Sequence, residues 1–503
     1  MKKFTLNLLG MLMAVWGVGV LASCDDEKFS ASPAYSLSFS TDTVSFDTVF
    51  TTLGSATYKL VVYNRNNRSL RIESVSLPNA DKSGFRVNVD GHQGTDFSDL
   101  EIRRKDSMFV FIEVKIDPTN QDNPILVRDS LVFQLESGVQ QDVKLQAYGR
   151  DVLKLHGLVV ERDTSFSSYR PILVYDSLQI KEGVTLTLEA GTQLYFHDKI
   201  GCEVYGTMVA KGTLENPIVF RGDRLDKMPE LDLPYDRVAG QWGGLHFMSS
   251  SYDNRLNYVD VHGGQFGIRC DSSDVSRMKL LLENSTVHNV KGNALELTAS
   301  QVQVGNCQIT NAGSHCVSVL GGNALFVHCT IANFYSWDIR KGEAVHILNK
   351  DGEMYYPLEK AFFYNCLISG SKTDELSGGA AEDAPEDVPF GYGFAYCLVN
   401  TVLDEKKDDY DQLLDTHYPE CVWDDKEDEK GMSLARSKNF VYIGREDFLY
   451  DFRLDSISAA VNIGAPEYAL VYPLDKNGRE RLADGQPDAG CYEWMPGDKR
   501  REE

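Results

Sequence analysis

Beyond its first two dozen residues, this 503-residue sequence contains no apolar run approaching the ~20 residues that a membrane-crossing helix needs. It is also short of positive charge. Its 50 Lys and Arg face 74 Asp and Glu, for a formal net charge of −24 at pH 7, and no basic stripe interleaves with aromatics. A nucleic-acid partner is therefore not expected, because phosphate backbones are bound through clustered cations. Segments of strong helix formers with a 3.6-residue apolar period are missing as well, which sets aside helical bundles and helical repeats. No cysteine falls within residues 33–150, and no two cysteines anywhere have the C-x2-C spacing of a structural zinc site.

What is present begins with an export signal. Lys2 and Lys3 precede an apolar stretch over residues 4–21 that is interrupted by Asn7 and several glycines and closes on Leu21-Ala22-Ser23-Cys24. Small residues before a cysteine suit cleavage there, so 1–23 reads as a signal peptide and not as a span. The closing four residues resemble the lipobox of bacterial lipoproteins, which implies a diacylated Cys24 and a membrane partner reached through that lipid. Asp25, Asp26 and Glu27 resemble the signal that sends Bacteroidetes lipoproteins to the outer face of the outer membrane. Residues 24–32 are then a tether.

Residues 33–150 alternate apolar and polar positions over short runs at 35–39, 43–50, 57–63, 70–77, 85–89, 108–116, 129–135 and 142–147. Seven or eight such runs predict an antiparallel β-sandwich, and the segments at 58–64 and 107–114 look like those of immunoglobulin-like domains.

From residue 151 to about 495 the chain reads as a solenoid. Leu280, Leu282, Ser285, Val287 and Asn289 are followed 22 residues later by Val302, Val304, Cys307, Ile309 and Asn311, and again by Ala324, Phe326, Cys329, Ile331 and Asn333. A 22-residue period with alternating apolar positions fits one rung of a parallel β-helix, in which each alignment column becomes a ladder in space. Asn289, Asn311 and Asn333 should form an asparagine ladder. Cys307 and Cys329 should share an inward column with Cys366 and Cys397, packed as small hydrophobes and not as metal ligands. Acidic insertions near 371–392 and 404–440 interrupt the period; without an ordered D-x-D-x-D-G loop they read as solvated surface and not as Ca2+ sites. Neither a metal nor a cofactor is expected.

Four landmarks resemble the right-handed parallel β-helix lipoproteins of Bacteroidetes, a group related in fold to pectate lyases. They are Gly183-Val184-Thr185-Leu186-Thr187-Leu188-Glu189-Ala190-Gly191-Thr192; Gly206-Thr207 through Asn216-Pro217-Ile218-Val219-Phe220 to Trp242-Gly243-Gly244-Leu245; Asn365-Cys366 to Gly370-Ser371; and Tyr450-Asp451-Phe452-Arg453-Leu454 with Pro473-Leu474-Asp475, Arg481 and Pro487-Asp488-Ala489-Gly490-Cys491-Tyr492-Glu493. The resemblance implies an all-β protein, a sandwich followed by the β-helix. The members of the group range from lyases to binding proteins, and fold does not choose between them.

A glycosidase on this scaffold needs carboxylates held together on adjacent rungs. Within residues 280–340 the acids are only Glu283, Glu296 and Asp338, and the Asn-Thr-Asp and Asp-Asp motifs of galacturonan hydrolases are absent. His262, His288, His315, His328 and His346 read as surface or turn residues. An active site, if there is one, is expected in a groove near Asp260, His262, Arg269, His288 and Arg340. The function expected is that of a non-catalytic cell-surface protein binding a glycan or another protein; a polysaccharide lyase or glycoside hydrolase is the alternative.

Overall fold

The computed structural model describes residues 28–498 apart from 168, 229, 230, 407 and 425–433, so the signal peptide and Cys24 lie outside the described residues. The chain divides between Asp151 and Val152 into two compact units.

The first unit is a β-sandwich. One sheet orders Ser38–Phe39, Tyr58–Tyr63, Ser107–Val114, Phe85–Val89 and His92–Gly94; the other orders Thr43–Phe50, Gln140–Arg150, Ile125–Leu135, Leu70–Ser76 and Asp96–Ile102. Period-two alternation builds its core. In Ser107–Val114, Met108, Val110, Ile112 and Val114 are buried, while Phe109 and Phe111 point outward. The sandwich is not wholly antiparallel: Thr43–Phe50 runs parallel to Gln140–Arg150. The chain leaves the first sheet after Phe39 and enters the second in the same direction as its last strand, which alternation alone does not disclose. The strand Asp96–Ile102 also escapes the sequence pattern, because it lies at a sheet edge with most of its residues exposed.

The second unit is a parallel β-helix whose rungs form one continuous 25-stranded ladder. Each coil contributes strands to three faces. The first face includes Cys202–Val204, Leu245–Phe247 and Ile268–Cys270; the second includes Thr207–Lys211, Asn254–Asn257 and Met278–Glu283; the third includes Ile218–Gly222, Val259–His262, Thr286–Val290, Gln308–Ala312 and Thr330–Asn333. The strands Leu295–Gly305 and Val317–Val327 each serve the first and second faces by bending at the corner between them. At that bend Gly322 has φ +87°, and a Cβ there would sit 2.5 Å from the Ser300 nitrogen, so no other residue fits without rearrangement.

The corner between the second and third faces explains four of the cysteines. Tyr258, Asn284, Asn306, His328, Asn365 and Tyr396 all have positive φ, a conformation that asparagine tolerates better than most L-residues. Each aims the residue after it inward, and those residues are Val259, Ser285, Cys307, Cys329, Cys366 and Cys397. The Cys307 sulfur accepts from the Ser285 N–H at 3.4 Å, Cys366 from the Cys329 N–H at 3.4 Å, and Cys397 from the Cys366 N–H at 3.3 Å. Among the described residues the nine cysteines are free thiols, and all but Cys421 are buried.

A side-chain amide ladder runs through this same corner: Asn284 donates to Asn257 at 2.8 Å and Asn306 to Asn284 at 2.7 Å. Of the expected trio, Asn311 donates to Asn289 at 3.3 Å. Asn333 instead donates to the Ala312 and Ser314 carbonyls and accepts from the Ala312 N–H. The Asn311 side-chain oxygen accepts the Phe334 N–H at 3.2 Å.

Candidate functional site

Alternation on the third face sends Val259 and Val261 inward and Asp260 and His262 outward. The next rung sets His288 directly beside His262, with ring centroids 4.9 Å apart. The loop before Trp242 adds Asp236 from the short turn Tyr235–Arg237. His262 Nδ1 lies 2.9 Å and His288 Nε2 3.1 Å from the same Asp260 oxygen, Oδ1; His262 Nε2 lies 3.1 Å from Asp236 Oδ1. Asp236 also pairs with Arg221, whose guanidinium lies over the Tyr195 ring.

The electrostatics follow from the crowding. Burial opposes the charge on Asp260, but the adjacent His262 and His288 hold it well below the usual carboxylate range. Asp236 is lowered first by its hydrogen bond to His262. Burial pushes His262 down, yet the charge of Asp260 and the bonds to both carboxylates carry it up to about 9.

The groove expected from the sequence is thus divided among three places. Asp260, His262 and His288 come together; Arg269 and Arg340 do not join them. Arg269 stands on the first face, over the Phe266 ring at 4.4 Å and 3.2 Å from Glu296. The Arg340 side chain is 6% exposed, bonded to the Asn333 carbonyl and at 2.8 Å to Glu375, and Asn333 lies on the rung three beyond that of Asp260, about 14 Å along the axis. Nor are the acidic insertions all solvated: Glu375 and Asp424 are buried. His328 is buried too, in the αL corner, where its Nε2 meets the Asn365 amide at 3.0 Å. Asp236 and Arg221 were missed, the first because its loop has no period, the second because it is one outward residue among many in an ordinary rung.

A second cluster occupies the first face. His315 stacks on His346 with centroids 4.3 Å apart, and Glu343 lies 3.7 Å from His315 Nδ1. Lys372 and Ser377 take up the Glu343 carboxylate at 2.8 and 2.7 Å. Among the described residues, these two clusters are the ones that gather three or more ligand-type side chains within 4.8 Å.

The first face also carries an outward column in strict register: Gln179, Glu203, His246, Arg269, Glu296, Ser318, His346 and Ser377 follow one another rung by rung. Ser377 lines a cleft of about 200 Å³ walled by Leu376, Phe390, Tyr392, Phe394 and Tyr418.

No family model matches this chain, and no curated protein does. Solved structures match only in part. A protein of unknown function from Porphyromonas gingivalis W83 is 13% identical over 25% of this chain and 50% of its own, with a TM-score of 0.18. A family 123 glycoside hydrolase from Clostridium perfringens is 8% identical over 24% of this chain and 30% of its own, with a TM-score of 0.17. The PapD-like domain 7 of human CEP192 is 11% identical over 24% of this chain and 87% of its own, with a TM-score of 0.17. The chain spans half or less of the first two proteins it resembles, and none of the three informs the site.

Proposed function

We propose that this chain is a lipid-anchored bacterial surface protein whose β-helix binds an extended glycan along its first face without transforming it. The carrying observation is the column from Gln179 to Ser377, which offers one hydrogen-bonding side chain per rung and ends at a cleft where Phe390 and Tyr392 are half-buried. Hydroxyl-rich polymers are held by such repeated donors and acceptors together with aromatic platforms. Phe266, beneath the Arg269 guanidinium, is a further aromatic surface beside the column. The Leu21-Ala22-Ser23-Cys24 motif and the acids after it support anchorage and an outward-facing outer-membrane position.

A glycan array probed with the mature chain is the direct test. Retained ligands should be lost by Arg269→Ala with Glu296→Ala; binding indifferent to that pair would remove the reading. A second reading, a polysaccharide lyase or glycoside hydrolase, is favoured by the clustering of Asp260 with His262 and His288. It predicts unsaturated products or new reducing ends from a bound polysaccharide, abolished by Asp260→Asn.

A further inference from the structure

We propose that Asp260, His262 and His288 form a binding site for a divalent transition-metal ion of the zinc class, with Asp236 and Arg221 as its outer support. The first argument is distance. Ligands around a tetrahedral ion with bonds of ~2.0–2.1 Å stand roughly 3.3 Å apart. Asp260 Oδ1 lies 2.9 Å from His262 Nδ1 and 3.1 Å from His288 Nε2, and all three donor atoms lie within 4.8 Å of one another, so two of the three separations stand near ligand spacing and rotation of the imidazoles would admit the ion.

The second argument is the tautomer. A metal-binding imidazole characteristically donates its other N–H to a carboxylate, which fixes the ring and leaves the inner lone pair free. His262 Nε2 faces Asp236 Oδ1 at 3.1 Å, and Arg221 ties Asp236 in place from behind. Binding would release the proton from His262 Nδ1 to solvent while Asp236 keeps the one on Nε2, so that Nδ1 becomes a ligand and the ion replaces the two N–H···O contacts that the imidazoles now make to Asp260.

Access and chemistry agree. His262 is 8% exposed, whereas His288 and Asp260 are 24% and 36% exposed, so the fourth position opens to solvent. Two imidazoles and one carboxylate suit zinc, cobalt or a similar ion; calcium would need six or more oxygens. All three ligands stand on adjacent strands of a regular rung pair, a scaffold that holds geometry better than loops do. The His315, Glu343 and His346 cluster lacks these features: the Lys372 ammonium sits on its carboxylate, and His315 Nδ1 already accepts the Glu343 N–H at 3.1 Å.

The test uses the mature chain stripped with chelator. Calorimetry with Zn2+ should show one equivalent bound. Co2+ should give the strong visible absorption of a four-coordinate nitrogen and oxygen site, without the sulfur charge-transfer band that the thiols would produce. His288→Ala and Asp260→Asn should each abolish both signals with the fold intact by circular dichroism. Asp236→Asn should weaken binding by about 10- to 100-fold, and Glu343→Gln should change nothing. Absence of binding by the native chain overturns the proposal, as does binding that survives both His288→Ala and Asp260→Asn, or a sulfur-ligated spectrum. Should one of these variants unfold, His288→Gln supplies the same comparison with a side chain of similar bulk.

Discussion

The Arg481 guanidinium donates to the Asn306 side-chain oxygen at 2.6 Å across 175 residues of sequence. Its other arm pairs with Glu493, and both charged side chains are buried. Around this pair the C-terminal segment crosses the αL corner rung by rung. Tyr472 donates to Glu283, Asn306 to the Leu474 carbonyl, the Cys491 N–H to Thr330, and the Ala465 N–H to Asn365. Arg481→Ala leaves Glu493 buried without its cation and should destabilise the β-helix by roughly 3–5 kcal/mol. Adding Glu493→Gln should recover part of that loss. Urea unfolding followed by tryptophan fluorescence reports on this unit, since Trp242, Trp337, Trp423 and Trp494 all belong to it.

The thiol column makes a second prediction. Cys329 is fully buried between Cys307 and Cys366, so Cys329→Asp introduces an uncompensated charge and should cost several kcal/mol. Val402→Asp, at a position 62% exposed, should cost little. Burial raises the buried thiols, Cys270 and Cys491 to about 12, and the thiolate is the reactive form. A thiol reagent should therefore spare the buried cysteines of the folded mature chain and reach them only after denaturation; rapid modification of Cys307 or Cys329 in the native state would contradict the column.

Acid should weaken the β-helix through His315 and His346. His315 is pushed down to about 4, by burial first and then by the neighbouring His346, with Glu343 pulling the other way. Burial lowers His346 as well, against the pull of Glu343. Unfolded imidazoles titrate near ~6.5, so below that pH the unfolded chain takes up protons that the folded chain refuses. This contribution is fully present above about pH 6.5 and is lost as pH falls toward 4. In chelated buffer, the drop in urea midpoint between pH 7 and pH 5 should be smaller for His346→Gln than for the wild type.

The proposed anchorage rests on Cys24. Cys24→Ala should abolish incorporation of a labelled fatty acid into the protein, because the proposed lipid is carried on that thiol. Labelling that survives the substitution would overturn the proposed lipid anchor.

Much of the fold was legible because a solenoid repeats its instructions. The 22-residue step from Ser285 to Cys307 to Cys329 encoded the column directly, and period-two alternation encoded both the core of the sandwich and the outward placement of Asp260 and His262. Those are local rules, enforced by the pleat of a strand and by the spacing of one coil. What only the tertiary structure decided is which distant residues meet. Asp236 reaches His262 from a loop without periodicity, Arg340 turns inward to Glu375 and away from Asp260, and Arg481 finds Asn306 across 175 residues of sequence. Each of these contacts depends on the path of an irregular segment, and that path is set by which buried charges and backbone groups find partners when the rungs close, not by any pattern carried in the segment itself.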